Sequence, residues 1–257
     1  VGDYPMFLPG GKEQIAGEYQ PGWMLLSYGK KVSVSSSLEG YPAENIVDED
    51  ARTAWVAQSN RDMEWAQVDL QRLSSIHAIQ VNFDEYGANQ KGAVSGVYQS
   101  YLIYASVNGE DWSLVVDYGT KKTDTPHDYI EFEEPFKARY IKLQNKEYMV
   151  SENFSVRDLR IFGKGQGSTP RAVNDFTVER DEADPCKARL CWEAVPDAQG
   201  YIVRYGIAGD KLYNNFQVMG ENTLEIGSLN KGVAYYFTID AYNENGITRT
   251  SRIKVCR

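Results

Sequence analysis

The chain has few cysteines and histidines, and this scarcity excludes several kinds of site. Only three of its 257 residues are cysteines and two are histidines. Three cysteines allow at most one disulfide bridge, so the fold cannot depend on a disulfide framework. We prefer a Cys186–Cys256 bridge, because Cys191 is expected inside a strand. His77 and His127 lie far apart in sequence, and each is expected to be solvated or hydrogen-bonded rather than catalytic.

Positive charge and long apolar runs are also scarce. The 27 Lys and Arg residues are outnumbered by 36 Asp and Glu residues, for a net charge of −9. Without a basic surface, nucleic acid and anionic membranes are not expected partners. No run of about 18 apolar residues predicts membrane insertion. The first residues lack the regions of a signal peptide, so we expect either a cytosolic protein or a piece of a longer one.

Motifs for catalysis are missing as well. We find no Gly-x-Ser-x-Gly elbow, no phosphate loop, no zinc spacing and no cysteine with a credible histidine partner. Two carboxylates could serve a glycosidase, but acidic pairs such as Glu133-Glu134 fall at predicted turns. The chain by itself is therefore not expected to be an enzyme.

What is present is a pattern of short alternating strands separated by turn residues, which predicts an all-β protein. Residues 1–27 are rich in Gly and Pro but keep several aromatics, which predicts an extended arm that packs on another domain. Residues 28–163 form the first predicted domain. Residues 164–170 are a Gly, Ser and Pro linker, and residues 171–257 give a second predicted domain of seven short strands.

The stretch with the most potential ligand residues runs from Asn45 to Trp55. Asp48 and Asp50 are two positions apart and a hydroxyl follows at Thr53. Oxygen ligands at such short spacing suit calcium. The alternative is an acidic surface turn that ends in a buried tryptophan, because the EF-hand pattern is absent.

Six sequence blocks within the first predicted domain resemble the discoidin or coagulation-factor type C domain, whose carbohydrate-binding members form family 32 of the carbohydrate-binding modules. In order, the blocks are Ser35 to Ser37, Asn45 to Trp55, Glu64 to Leu70, Tyr104 to Trp112, Ala138 to Leu143 and Val156 to Gly163. The resemblance implies an eight-stranded jelly-roll β-sandwich that buries Trp55.

The same resemblance implies a structural Ca²⁺ ion. Asp48 would give a side-chain oxygen, Asn45 and Asp50 their carbonyls, and Thr53 its carbonyl or hydroxyl. The closing ligand would come from the last strand at Asp158, where many members have Glu. The ion would tie the first loop to the final strand.

Carbohydrate binding in the family is performed by loops at one end of the barrel. Carried over, the candidate contacts for a polysaccharide or glycan are polar and aromatic loop residues: Asn60, Arg61, Tyr86, Asn89, Tyr98, Tyr148, Asn153 and Phe154. For each of them, a surface or packing role is an equal alternative. The Arg and Asn pair of galactose-binding members is not evident in the second loop.

The second predicted domain resembles a fibronectin type III domain, a seven-stranded immunoglobulin-like β-sandwich. Its pattern residues are Trp192, Tyr201, Leu229, Tyr235, Asn243 and Gly246. In this pattern Tyr235 closes a tyrosine corner.

A last resemblance concerns the arm. Gly2 to Pro9 and Pro21 to Ser27 resemble the segment that joins a glycoside hydrolase family 43 propeller to a type C domain in bacterial enzymes. It implies a non-catalytic, carbohydrate-binding region of a periplasmic, extracellular or cell-surface enzyme. An upstream catalytic domain of the same polypeptide would be its partner, and the signal peptide would lie outside this fragment. Purely structural bracing of the propeller, or protein and cell-surface adhesion, remain alternatives.

Overall fold

The computed structural model describes residues 7–9, 21–88 and 96–257. The chain divides into two compact units, Val1–Gln166 and Gly167–Arg257, called here the first and the second unit. Within the described ranges helical structure is limited to a short 3₁₀ turn, Ala43–Val47, and to Ala88 at the edge of the described part. No described helix has the length and apolar content needed to cross a membrane. The all-β prediction is confirmed.

The first unit is a jelly-roll β-sandwich built from antiparallel strands. They are β1 (Phe7–Pro9), β2 (Pro21–Leu25), β3 (Lys31–Val34), β4 (Trp55–Val56), β5 (Trp65–Phe83), β6 (Gln99–Ser106), β7 (Ser113–Tyr118), β8 (His127–Tyr148) and β9 (Ser155–Lys164). Strands β2 to β9 make the expected eight. Both β1 and β2 fall in the predicted arm, and β2 pairs with β9 through Met24 and Leu25.

Strand β5 belongs to both layers of the sandwich, because its pairing is interrupted between Asp69 and Ser74. Its first part pairs with β3 and with the end of β8, and its second part pairs with β9 and with the beginning of β8. At the interruption Gln71 has a φ of 66°. The layers enclose an apolar core in which Trp55 is fully buried, as the sequence predicts.

The strand registers bring several connections to one end of the first unit. Trp65, at the start of β5, is opposite Gln144 near the end of β8. Phe83, at the end of β5, is opposite Val156 at the start of β9. The connections that leave these strand ends, residues 35–42, 57–64, 84–88 and 149–154, therefore lie together. We call this the loop end.

The second unit is also a two-sheet β-sandwich. Its strands are β10 (Phe176–Arg180), β11 (Ala188–Trp192), β12 (Gly200–Gly206), β13 (Asn214–Met219), β14 (Thr223–Ile226), β15 (Tyr235–Asn243), β16 (Gly246–Thr248) and β17 (Lys254–Cys256). The first sheet has the order β10-β11-β14, and the second has β13-β12-β15, with β16 and β17 both paired to β15.

Two sequence expectations fail in the second unit. The single last strand expected at Ser251 to Val255 is instead β16 and β17, because Thr250 leaves the ladder. Its N–H donates to Asp240 Oδ1 at 3.1 Å and its hydroxyl donates to the Val173 carbonyl at 3.2 Å. The cysteines, Cys186 among them, are free thiols, so the expected bridge is not formed.

The tyrosine corner gives a test of the second unit. The Tyr235 hydroxyl accepts a hydrogen bond from the Asn230 N–H at 3.2 Å. Tyr235→Phe should lower the free energy of unfolding by about 1 kcal/mol, because the amide loses its partner. Tyr236→Phe is the control, since that ring is on the opposite face of β15 and outside the core. Equal denaturant midpoints for the two variants would contradict this role.

Candidate functional site

Asn145 joins the connection 57–64 to the end of β8. Its side chain is fully buried, and its Nδ2 donates to the carbonyls of Asn60 and Arg61 at 2.8 and 2.9 Å. Its main-chain N–H donates to the Glu64 carbonyl at 2.7 Å, and its carbonyl accepts from the Met63 N–H at 3.2 Å. Asn145 thus extends the β5–β8 ladder and fixes the path of the 57–64 connection. Sequence reasoning did not single it out.

Two of the predicted contact residues also brace this end. Asn60 Nδ2 donates to the Ser151 carbonyl at 2.8 Å, and Asn153 Nδ2 donates to the Ala57 carbonyl at 2.9 Å. Both side chains are half-buried. Their amide groups therefore hold the 57–64 and 149–154 connections together, so they shape the loop end through the main chain.

Two others are corrected by the structure. Tyr148 and Phe154 are buried in the core, where Phe154 packs edge-on against Trp55 with ring centroids 5.8 Å apart. The Tyr148 hydroxyl donates to the Asp84 carbonyl, and burial raises the pKa of this tyrosine above its ordinary value. Neither ring presents a face to solvent, so we remove both from the carbohydrate-contact set. An aromatic next to a loop does not reveal from sequence which way it points.

The remaining aromatic candidates are half-buried at the loop end. The Tyr86 ring meets Tyr41 edge to face at 4.9 Å between centroids. The Tyr98 hydroxyl accepts from Lys122 Nζ at 3.2 Å, and the same ammonium lies 3.3 Å from the Glu147 carboxylate. Asn89 lies outside the described residues.

An open cleft of 520 Å³ lies beside Arg61. The residues that line it come from two segments, and all but Met63 are polar or charged: Ser35, Ser36, Gln58, Ser59, Arg61, Asp62, Met63 and Glu64. Only Arg61 of these was predicted as a contact. Other lining residues fall in two of the sequence blocks, Ser35 to Ser37 and Glu64 to Leu70. Neither block was predicted to bind a ligand, because a strand motif does not show which cleft its end residues will line.

The Glu64 carboxylate is the centre of this cleft. It accepts hydrogen bonds from three hydroxyls: Ser36 at 2.8 Å, Ser59 at 2.7 Å, and Ser35. Burial raises the pKa of Glu64, but these hydrogen bonds and the charge of Arg61 outweigh it, so the pKa lies below its ordinary value. Glu64 therefore stays ionised at neutral pH and ties the two walls of the cleft together.

Met63 stands at the rim in an unusual conformation. Its φ is 81°, in the left-handed region that costs a non-glycine residue about 1 kcal/mol or more. Its side chain is 61% exposed. The Met63 N–H donates to the Asn145 carbonyl, and Met63 Sδ accepts a hydrogen bond from Gln144 Nε2 at 3.1 Å, so the side chain is held at one point while most of it stays exposed. Backbone strain of this kind is concentrated at functional sites.

The acidic loop lies elsewhere, against β9. Asp48 Oδ1 accepts from the Asp50 N–H at 2.8 Å, and Asp48 Oδ2 accepts from the Thr53 hydroxyl at 2.7 Å. Asn45 Nδ2 donates to the Ala54 carbonyl at 2.8 Å. These contacts hold the Asp50 main chain and the Thr53 hydroxyl against the Asp48 carboxylate. In the described part of the chain no three His, Cys, Asp or Glu side chains gather, so a metal here would need main-chain and hydroxyl oxygens.

Asp158 on β9 supplies the observation that bears on metal binding. Its Oδ2 accepts from Asn82 Nδ2 at 2.9 Å, while its buried Oδ1 has no hydrogen-bond partner among the described residues. Burial raises the pKa of Asp158, and the charge of Asp48 adds to the effect. An unpaired buried carboxylate oxygen beside a second carboxylate is an environment that a hard cation would relieve. The donor set therefore fits calcium.

A second tie between this loop and β9 was not predicted. Glu49 has a φ of 61°, and its carboxylate pairs with Arg160 at 3.0 Å, with both side chains only 4% exposed. Arg160 also donates to Gln80 Oε1 at 3.0 Å and stacks on the Phe162 ring. The sequence does not predict this pair, because nothing distinguishes Glu49 from the other acidic residues of the loop.

Comparisons with known proteins bear mainly on the first unit. The family model for the F5/8 type C domain matches residues 31–158. Rat lactadherin is 33% identical over 110 residues, which are 40% of this chain, and mouse lactadherin is 32% identical over a similar stretch. The match spans 25% of the rat protein, about a quarter of its length.

Solved structures similar to this chain include two bacterial modules. One is chitosan-binding module 1 from a chitosanase/glucanase of Paenibacillus sp. IK-5, with 20% identity and a TM-score of 0.46 over 54% of this chain and 98% of the module. Another is a family 32 carbohydrate-binding module of Clostridium perfringens in complex with galactose, with 18% identity and a TM-score of 0.43 over 54% of this chain and 97% of the module.

The buried ion pair predicts unequal effects for two arginines of similar chemistry. Arg160→Met leaves the Glu49 carboxylate buried without its partner, which should lower the free energy of unfolding of the first unit by about 3 kcal/mol or more. Arg52→Gln is the matched control, because Arg52 pairs with Asp50 but is 79% exposed. Its melting temperature should stay unchanged. Similar melting temperatures for both variants would refute the role of the buried pair.

The pKa of Glu64 predicts a pH dependence. A carboxylate whose pKa is lowered on folding stabilises the native state at pH values above the pKa of the unfolded chain, which is 4.5 for Glu. This stabilisation is lost as the pH falls through the lower pKa of the folded state. Wild type should therefore be more stable than Glu64→Gln at pH 7, and the difference should shrink below pH 4.5. Denaturant unfolding of both proteins across pH measures it, and a constant difference would contradict it.

Proposed function

Because residues 31–158 match the family model for the F5/8 type C domain, we propose that this chain binds carbohydrate through the loop end of its first unit. The observation that carries the proposal is the open cleft beside Arg61, lined by polar side chains and one exposed apolar residue. Carbohydrate sites combine hydrogen-bonding groups for hydroxyls with an apolar surface for the C–H face of the ring.

Preorganisation supports the same conclusion. Three asparagine side chains, of Asn60, Asn145 and Asn153, donate hydrogen bonds to main-chain carbonyls. These bonds fix the conformation of the loop end before a ligand binds. A rigid site loses little conformational entropy on binding, which matters for weakly binding ligands such as sugars. Tyr86 and Tyr98 stay in the proposal as secondary contacts at the same end.

The proposal extends to the whole protein. The chain is the non-catalytic accessory region of a secreted bacterial glycoside hydrolase that degrades polysaccharides, and the catalytic domain lies upstream in the same polypeptide. The arm motifs at residues 2–9 and 21–27 support this parent. The second unit is a fibronectin type III-like spacer, a role supported by its tyrosine corner.

A structural Ca²⁺ ion belongs to the same proposal. Asp48 and Asp158 would supply charged oxygens, and Asn45, Asp50 and Thr53 would supply the neutral ones. The ion supplies charge neutralisation and no reactive water. It would join the acidic loop to β9, next to the tie that Glu49 and Arg160 already make.

Carbohydrate binding is tested with the whole chain by affinity electrophoresis and calorimetry. Polymers that contain galactose, arabinose or xylose form the ligand panel, and bovine serum albumin is the control for retardation by the gel. At least one polymer should retard the chain and give a saturable heat. If no polymer binds, the proposal is wrong and structural bracing of the parent enzyme takes its place.

Calcium is tested by melting temperature. At free calcium about 100 times its Kd, binding to the folded state alone adds about 2.7 kcal/mol, so a chelator should lower the melting temperature of the first unit. Asp158→Asn keeps the shape of the side chain but loses its charge, and its melting temperature should respond less to calcium. A wild-type melting temperature that is the same in calcium and in chelator would count against the ion.

A further inference from the structure

We propose that the cleft formed by Ser35, Ser36 and residues 58–64 is a subsite for one neutral pyranose residue, with Met63 as its apolar platform. The inference rests on the proposed function and deepens it, because it names the contact surface and the ligand chemistry. The half-buried tyrosines of the loop end lie outside the lining of this cleft.

The floor of the cleft presents hydrogen-bond acceptors. Each serine hydroxyl gives its proton to the Glu64 carboxylate, and each oxygen also accepts one main-chain N–H. For Ser36 that amide belongs to Gln58, at 3.0 Å. A hydroxyl oxygen has two lone pairs, so one remains for a ligand. A ligand for this floor must therefore donate hydrogen bonds, as sugar hydroxyls do.

The rim adds the Arg61 guanidinium as a donor, and the charged residues of the lining are two acids and one base. Arg61 is exposed, and its charge helps to lower the pKa of the Glu64 carboxyl. Asp62 Oδ2 lies 2.7 Å from Lys146 Nζ, which is outside the lining. An acidic sugar would therefore meet more negative than positive charge in the lining, which favours a neutral ligand over an acidic one.

Met63 supplies the apolar surface. It is 61% exposed and has a φ of 81°, and its Sδ accepts a hydrogen bond from Gln144 Nε2 at 3.1 Å, which holds the exposed side chain in place. Glycine would adopt this φ without steric strain, whereas methionine is strained there. A residue that is unfavourable for the fold and is held in solvent beside a polar cleft fits contact with the C–H face of a ring.

The conformation of Met63 makes a sharp test possible, because Met63→Gly removes the platform and relieves the strain at the same time. We expect a melting temperature equal to or higher than that of wild type, together with an affinity for the best neutral polymer of the panel that falls at least about fivefold. Met149→Ala is the matched control, since Met149 is 45% exposed at the same end but outside the cleft. Its affinity should remain at the wild-type value.

Ligand charge is tested by calorimetry with the methyl glycosides of galactose and glucose and of their uronic acids. At least one neutral glycoside should bind, and its uronic acid should bind at least about tenfold more weakly. Equal or tighter binding of the uronic acid would overturn the proposed charge selection. If wild type binds a polymer but Met63→Gly binds it equally well, the subsite is wrong while carbohydrate binding stands. If wild type binds no glycan, the proposed function itself fails.

Discussion

The fully buried side chain of Asn145 is the constraint on which the loop end depends. The main chain of Asn145 continues the β5–β8 ladder through hydrogen bonds to Met63 and Glu64, and its side chain donates to the carbonyls of Asn60 and Arg61. Both protons of its carboxamide are bound, while the buried Oδ1 has no hydrogen-bond partner among the described residues. Met63 and Glu64 are bonded to the same residue through the main chain, so the segment that lines the cleft is attached to β8 at Asn145.

The acidic residues of the chain divide into two roles in the first unit. Glu64 sits in an environment of hydroxyl donors and remains ionised, and it holds the walls of the cleft. Asp48 and Glu49 of the acidic loop face Asp158 of β9, and the charge of Arg160 offsets part of the negative charge of this group. The loop is thus fastened to β9 by an ion pair, with or without a metal. The most acidic stretch holds the frame of the first unit, and a single glutamate elsewhere holds the walls of the cleft.

Sequence reasoning predicts the architecture well and the site only in part. Alternating apolar residues and turn residues predict both sandwiches, because burial on one face leaves a period of two. Arg61 and Asn60 lie at the loop end, and their contact with carbohydrate stays a prediction. Tyr148 and Phe154 are misjudged, since composition does not show whether an aromatic at a strand end turns inward. Met63 and Asn145 are missed, because neither a positive φ nor a side chain that bonds to a neighbouring connection can be recognised from the residue type.

The most direct test of the account is a titration of isotope-labelled protein with a neutral oligosaccharide from the polymer that binds best, followed by amide chemical shifts. The account predicts the largest shift changes at residues 35–36 and 58–64, with saturation at one common Kd, and little change near Tyr98, Lys122 and Glu147. Changes centred on those three residues, or no saturable change at all, would contradict it.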